Sequence, residues 1–303
     1  MESMKRAVSV SLGSSTRNKA AIINFKGVPV SVERFGVDGD EAKARNLFEK
    51  LDGTVDALGV GGVELYLRFG KREYPLRSGL GLVKNVKSTP VVDGRGLKHT
   101  LERRVFELAA PDLGFKPHYH MAFMTLGVDR FGLADAVAAV SDHVTYGDLM
   151  FGLGLPIAIH SIKQLTRVGR VLLPVIGKLP ISMLYPTGEK QDEIVPRFEK
   201  YWSEAELIAG DFLYIRHHLP DRLPGKTIVT NTTTEDDVEL LRSRGLKWLI
   251  TTTPRYEGRS FGTNMLEAAL TAYAGKGRVL TDAELNALID ELELKPSVQR
   301  LNP

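Results

Sequence analysis

Apolar and polar positions fall in short runs along this chain, and the character of the runs changes partway. Residues 5–12, KRAVSVSL, are rich in Val and Ser and predict a strand, with GSSTRNK after it as a polar loop. AAIINF and VPVSVERF flank Lys26 and Gly27, the pattern of a hairpin. DGDEAKARNLFEKLDG predicts a helix: Asp38 or Asp40 caps it, Leu47, Phe48 and Leu51 form its apolar face, and Gly53 stops it. VDALGVGG then reads as a short buried strand, ELYLRF and REYPL as a second hairpin, GLGLVKNVKS as a helix and TPVVDG as one more strand. LKHTLERRVFELAA closes the region as a helix.

Two prolines and a glycine in PDLGFKPH, residues 111–118, mark a boundary. Beyond it strand and helix alternate. HMAFMTLGV, HVTYGD, ELIAGDF, KTIVTNTTT and LKWLITTTP are strands, while FGLADAVAAV, TEDDVELLRSRG and FGTNMLEAALTAYAG are helices. TDAELNALIDELELKP is a last helix capped by Thr281 or Asp282. Alternating elements predict a parallel sheet covered on both faces. The fold class expected is α/β: an N-terminal mixed α/β domain over 1–113, the candidate substrate domain, then a Rossmann-like nucleotide-binding domain over 114–303 with an apolar insert at 149–188.

Composition narrows the chemistry. The formal net charge of +3 is too small to argue for nucleic acid, and neither a zinc-type Cys/His spacing nor a long Lys/Arg block is present. With no cysteine, disulfides, thiolate nucleophiles and thiolate-bound clusters are excluded. The start lacks a long apolar core and no run reaches about 18 apolar residues, so a cytoplasmic location is expected. His118 and His120, and the adjacent His217 and His218, lack carboxylates at ligand spacing, so no metal is expected.

Several segments carry candidate chemistry. Gly127-Val-Asp-Arg-Phe-Gly132 lies between a strand and a helix, where glycines let a backbone approach a pyrophosphate and the helix start supplies N–H donors. Gly127, Asp129, Arg130, Phe131 and Gly132 are therefore candidate cofactor contacts, although Asp129 replaces the middle glycine of Gly-X-Gly-X-X-Gly. Asp148, about 20 residues on, suits a ribose hydroxyl and favours NAD over NADP, or it caps the next segment. Asp211, Asn231, Thr232 and Thr252 stand at later strand ends, where open α/β sheets bind ligands. Arg259 and Asn264 open a helix and, with Ser14, Ser15 and Arg17 after the first strand, are candidate substrate contacts. Asp93 and Lys98 form a workable acid/base couple for alcohol/ketone interconversion, and Tyr185 and Lys190 are candidate proton donors. The stretch from Leu149 to Gly188 has no Asp or Glu but carries Lys163, Arg167, Arg170 and Lys178. It reads as a homodimer interface, a cap over an apolar substrate, or a surface that touches anionic lipid.

These segments resemble a bacterial family carried under the label quinate (shikimate) 5-dehydrogenase. The resemblance runs over nearly the whole chain through VSVSLGSSTRNK, VDALGVGGVELYL, TPVVDGRGLKHTLERR, GVDRFGLADA, GDLMFGLGLP, LYPTGEKQ, AGDF, TNTTTEDDVELL and TTTPRYEGRSFGTN. It implies an N-terminal substrate domain, a Rossmann NADP domain and a catalytic Lys–Asp pair. The expected function is that of an NAD(P)-dependent oxidoreductase acting on an alcohol or ketone, as a homodimer. The alternatives are a Rossmann-like protein for another nucleotide or phosphorylated metabolite, or a lipid-handling, membrane-surface protein.

Overall fold

The computed structural model describes residues 4–69, 72–178, 193–256 and 259–303. It contains two mostly parallel sheets with helices, so the chain is an α/β protein. The chain folds into two compact units: Met1–Leu97 with Leu172–Lys190 and Gly262–Glu293, and Lys98–Val171 with Gln191–Phe261 and Leu294–Pro303. These are interleaved stretches, whereas the sequence pattern reads as the consecutive blocks 1–113 and 114–303.

The first unit holds a five-stranded sheet in the order β2-β3-β1-β4-β7: Lys19–Phe25, Val28–Gly36, Lys5–Ser11, Ala57–Gly61 and Val91–Val92. β1 runs parallel to β3 and β4, and β4 to β7, while β2 and β3 form the expected antiparallel hairpin about Lys26 and Gly27. Central β1 and β4 are nearly continuous apolar runs because both faces are covered, so Ala7, Val8, Ala57 and Leu58 are fully buried. On one face the helix Glu41–Leu51 lays Ala44 and Phe48 into a core with Val8, Val10, Leu58 and Val60. Asp40 caps that helix through the Lys43 N–H at 2.9 Å, and Asp38 instead accepts from Ser15 N. β5 and β6, Tyr66–Phe69 and Arg72–Pro75, pair antiparallel.

Helix Thr263–Ala274 packs on β1, β3 and β4 of this first unit, although its sequence reads as the closing helix of the second domain. It is buried nearly all round, with small and apolar residues predominating, as a helix inside a core requires. The close approach needs a glycine: a Cβ on Gly59 would sit 3.0 Å from the Asn264 carbonyl oxygen. The tail helix Asp282–Glu291 starts at a capping box formed by Thr281 and Glu284.

The second unit holds the order β9-β8-β10-β11-β12-β15: Ser141–Tyr146, Tyr119–Met124, Leu207–Gly210, Thr227–Thr230, Trp248–Thr251 and Ser297–Arg300. All pairings are parallel except β12 with β15. A short separate pair, β13 and β14, is Arg255–Tyr256 with Arg259–Ser260. Counted from β8, the five parallel strands lie 2-1-3-4-5, one of the two common doubly wound orders. Its reversal point lies between β8 and β10. The core on one side centres on Phe123, Trp202, Ile208, Phe212 and Leu249.

The last helix of the N-terminal reading, LKHTLERRVFELAA, is three pieces: helix Arg95–His99, a 3-10 turn Glu102–Arg104, and helix Val105–Leu113. That break places Lys98 and Glu102 against the start of helix Phe131–Ala139, within the second unit.

Candidate functional site

β8 ends at Met124, and residues 125–130 lead into helix Phe131–Ala139. The turn is the one expected to hold a pyrophosphate. Two of its N–H groups are engaged within the chain: Gly127 N donates to both Asp148 carboxylate oxygens at 3.0 Å and Val128 N donates to Asp148 Oδ1 at 2.8 Å. Asp148 is the buried first residue of helix Asp148–Leu153. Burial pushes its carboxyl up to about 6 against the opposing pull of those N–H donors. The two glycines serve packing. A Cβ on Gly127 would meet Leu165 Cδ2 at 2.7 Å, and one on Gly132 would overlap the Lys98 carbonyl oxygen. Two of the donors that a pyrophosphate would need in the usual pose are thus engaged by a carboxylate of the same chain, and the Lys98 backbone packs on Gly132.

What gathers at the reversal point is a cluster of charges. The Arg130 side chain is 3% exposed and donates to the fully buried Glu102 and, at 2.7 Å, to Asp211 Oδ2. Arg130 Nε also lies 3.7 Å from Asp129 Oδ2. Lys98 Nζ donates to Asp129 Oδ1 at 2.9 Å and to its backbone oxygen at 3.3 Å. Asn231 Nδ2 donates to Asp211 Oδ2 at 2.7 Å, and Thr252 Oγ1 donates to Glu102 Oε1 at 3.3 Å. Asp129 and Asp211 keep 21% and 18% of their side-chain surface, so the carboxylates form the accessible rim and Arg130 the floor.

The electrostatics follow from depth. Burial lifts Glu102 above the usual carboxyl range, opposed by Arg130 and Lys98. Burial also works against ionisation of Asp129, but Lys98 and Arg130 outweigh it and hold the group below its ordinary value. For Arg130, burial is overcome by Glu102, Asp211 and Asp129, which keep the guanidinium charged. Tyr214, on the short helix Phe212–His217, is raised by burial and then by Asp129 and Asp211, which puts its phenol in the field of the same carboxylates. The sequence pattern marks neither Glu102 nor Tyr214: Glu102 stands beside the cationic Arg103 and Arg104, and only its burial distinguishes it.

The other expected residues divide. Asp129, Arg130, Asp211, Asn231 and Thr252 come together with Lys98, whereas Phe131 is buried in the first helical turn and Thr232 is half-buried beyond β11. The partner expected for Lys98, Asp93, belongs to the first unit, where its carboxylate accepts from Leu65 N at 2.8 Å, Tyr66 N at 3.3 Å and Arg95 N at 3.1 Å. A loop-organising carboxylate takes that role there, and Lys98 pairs with Asp129 instead. Ser14, Ser15, Arg17 and Asn264 also lie in the first unit. Ser14 caps the short turn Ser15–Arg17, Arg17 is exposed, and Asn264 Nδ2 donates to Ser9 Oγ at 2.7 Å. Tyr185 and Lys190 lie outside the described residues, as does the Arg259 side chain. Among the described residues no group of three or more His, Asp or Glu could hold a metal ion, and His118 and His120 both pair with Asp142.

Comparisons with known proteins place the chain by family. No curated protein matches it in sequence. Solved structures with a related arrangement include a Mycobacterium smegmatis protein in complex with β-D-fucofuranose, at 10% identity and a TM-score of 0.36, over 98% of this chain and 91% of the other. A second is the NAD-dependent malic enzyme of Thermotoga maritima, at 12% identity and a TM-score of 0.39, over 93% of this chain and 75% of the other. A third is a glucose-galactose binding protein from Geobacillus stearothermophilus, at 10% identity and a TM-score of 0.37, over 99% of this chain and 98% of the other. Residues 6–93 match the model described as domain of unknown function DUF8753. Residues 96–301, more than half of the chain, match the model described as domain of unknown function DUF8754, and the chain belongs to that family.

Proposed function

We propose that the second unit binds a small hydroxylated metabolite at the carboxyl edge of its sheet, over the reversal point between β8 and β10. The observation that carries this reading is the Asp129–Arg130–Asp211 row, two carboxylates that keep about a fifth of their surface and are held in place by one buried guanidinium. Carboxylates fixed in this way accept hydrogens from neighbouring hydroxyls without reorganising, and Lys98 supplies a donor beside them. Ligands of open α/β sheets bind at such a reversal point, and clustered buried ionisable groups mark functional sites. The charge balance also selects against a pyrophosphate: Lys98 and Arg130 stand against Glu102, Asp129 and Asp211, so the cluster has no surplus of cations.

A second reading is nicotinamide-dependent alcohol/ketone interconversion, which the resemblance to quinate/shikimate dehydrogenases implies. The Lys98–Asp129 pair favours it, because a Lys held by an Asp is the proton-relay couple that chemistry uses. It requires the cofactor to lie away from the turn at Gly127.

Calorimetric titration separates the two. Under the first reading a polyol or hydroxy acid binds the wild-type chain and loses affinity by at least about tenfold in Asp129→Asn, while NAD(H) and NADP(H) give no heat. Binding of either nicotinamide cofactor at millimolar concentration, with no polyol or hydroxy acid bound, overturns it in favour of the second.

A further inference from the structure

A second surface, remote in chemistry from the charge cluster, lies on the segment between β9 and β10. Residues 149–178 contain no Asp or Glu. Within the second unit, the end of helix Asp148–Leu153 and the loop after it leave Leu153, Leu155 and Ile157 exposed by 46%, 43% and 52%. The helix Ile162–Ile176 follows. Lys163, Arg167, Arg170 and Val171 recur at intervals of three and four and so share one face, and all four are exposed. Val171 keeps 72% of its surface. The opposite face is anchored by the fully buried Leu165. Among the described residues none of the three cations has an ion-pair partner.

We propose that this segment docks the protein reversibly on an anionic lipid bilayer. An acid-free cationic helix face matches a surface of anionic headgroups, and each Lys or Arg near such a surface adds to the attraction. Leu153, Leu155 and Ile157 leave about half of their apolar surface uncovered and are of a size to enter the headgroup region. The contact is peripheral: no helix among the described residues is long and apolar enough to cross a membrane.

The 303-residue chain is sedimented with phosphatidylcholine vesicles, with and without phosphatidylserine, at low and high salt. Binding is expected only with phosphatidylserine and is lost at high salt. The charge-reversal variant K163E/R167E/R170E, with an unchanged thermal melt, is expected to bind on the order of 100-fold more weakly. Ile157→Ser tests the loop, with an expected loss of about tenfold at low salt. Equal binding to neutral vesicles overturns the proposal. So does absence of binding to both, or a wild-type dimer that K163E/R167E/R170E converts to monomer without any vesicle dependence.

Discussion

The carbonyl oxygen of Lys98 occupies the space that a side chain on Gly132 would need. This fixes what the glycine does: it lets the segment before Glu102 pack against the first turn of helix Phe131–Ala139. Gly132→Ala is expected to cost about 2–4 kcal/mol, since a backbone atom cannot yield as a side-chain tip can. Gly152→Ala is the control. Its Cβ would find only Leu126 Cδ2, at 3.8 Å, and a helical Gly→Ala change there should stabilise by up to about 1 kcal/mol. Urea unfolding of both variants reads the difference, and equal stabilities would contradict the packing role.

Arg130 and Glu102 form a buried pair with unequal partners. Arg130 has three carboxylates to answer, while Glu102 depends on Arg130 and Thr252. Arg130→Met strands carboxylates in the interior and is expected to destabilise by about 3–5 kcal/mol. Glu102→Gln keeps an acceptor for the same donors and should cost on the order of 1 kcal/mol. Unfolding midpoints measured side by side check the ordering, and an Arg130→Met variant as stable as Glu102→Gln would contradict it.

Glu267 gives the first unit a pH dependence of definite sign. It is buried on helix Thr263–Ala274, where Leu97 N donates to it at 3.3 Å. Burial, and then Asp93, push its carboxyl up to about 8 from an ordinary 4.5. Between those two values the native state holds a proton that the unfolded chain has released. Stability should therefore fall as pH rises from about 4.5 through 8, by on the order of a few kcal/mol. Glu267→Gln mimics the protonated form and should flatten that part of the profile. A profile equally steep in the variant would assign the dependence to another group.

Local pattern carried the elements further than it carried their partners. The β2–β3 hairpin is legible because Lys26 and Gly27 separate two β-rich runs. The five parallel strands of the second unit are legible as apolar runs between helical stretches. β15 is not: Ser297–Arg300 is four residues, mostly half-exposed, and only its antiparallel place beside β12 makes it a strand. Helix Thr263–Ala274 defeats the expectation that consecutive elements are spatial neighbours, since its apolar run announces burial without saying where. In the site, Asp211, Asn231 and Thr252 are found by their position at strand ends, a rule of topology that sequence can apply. The partner of Lys98 is set by a fold-level contact across 31 residues, for which Asp93, five residues away, is the nearer and misleading candidate.

The threading of the chain has a consequence during synthesis on the ribosome. Ser9 meets Asn264, 255 residues later, and helix Thr263–Ala274 is what packs on β1 and β4. Until that helix leaves the exit tunnel, the first sheet to be made waits with an apolar side uncovered, while most of the second unit is already available to fold. A nascent chain arrested before residue 262 should hence be a client for holdase chaperones. For the same reason, no single cut in the gene separates this protein into two self-sufficient halves.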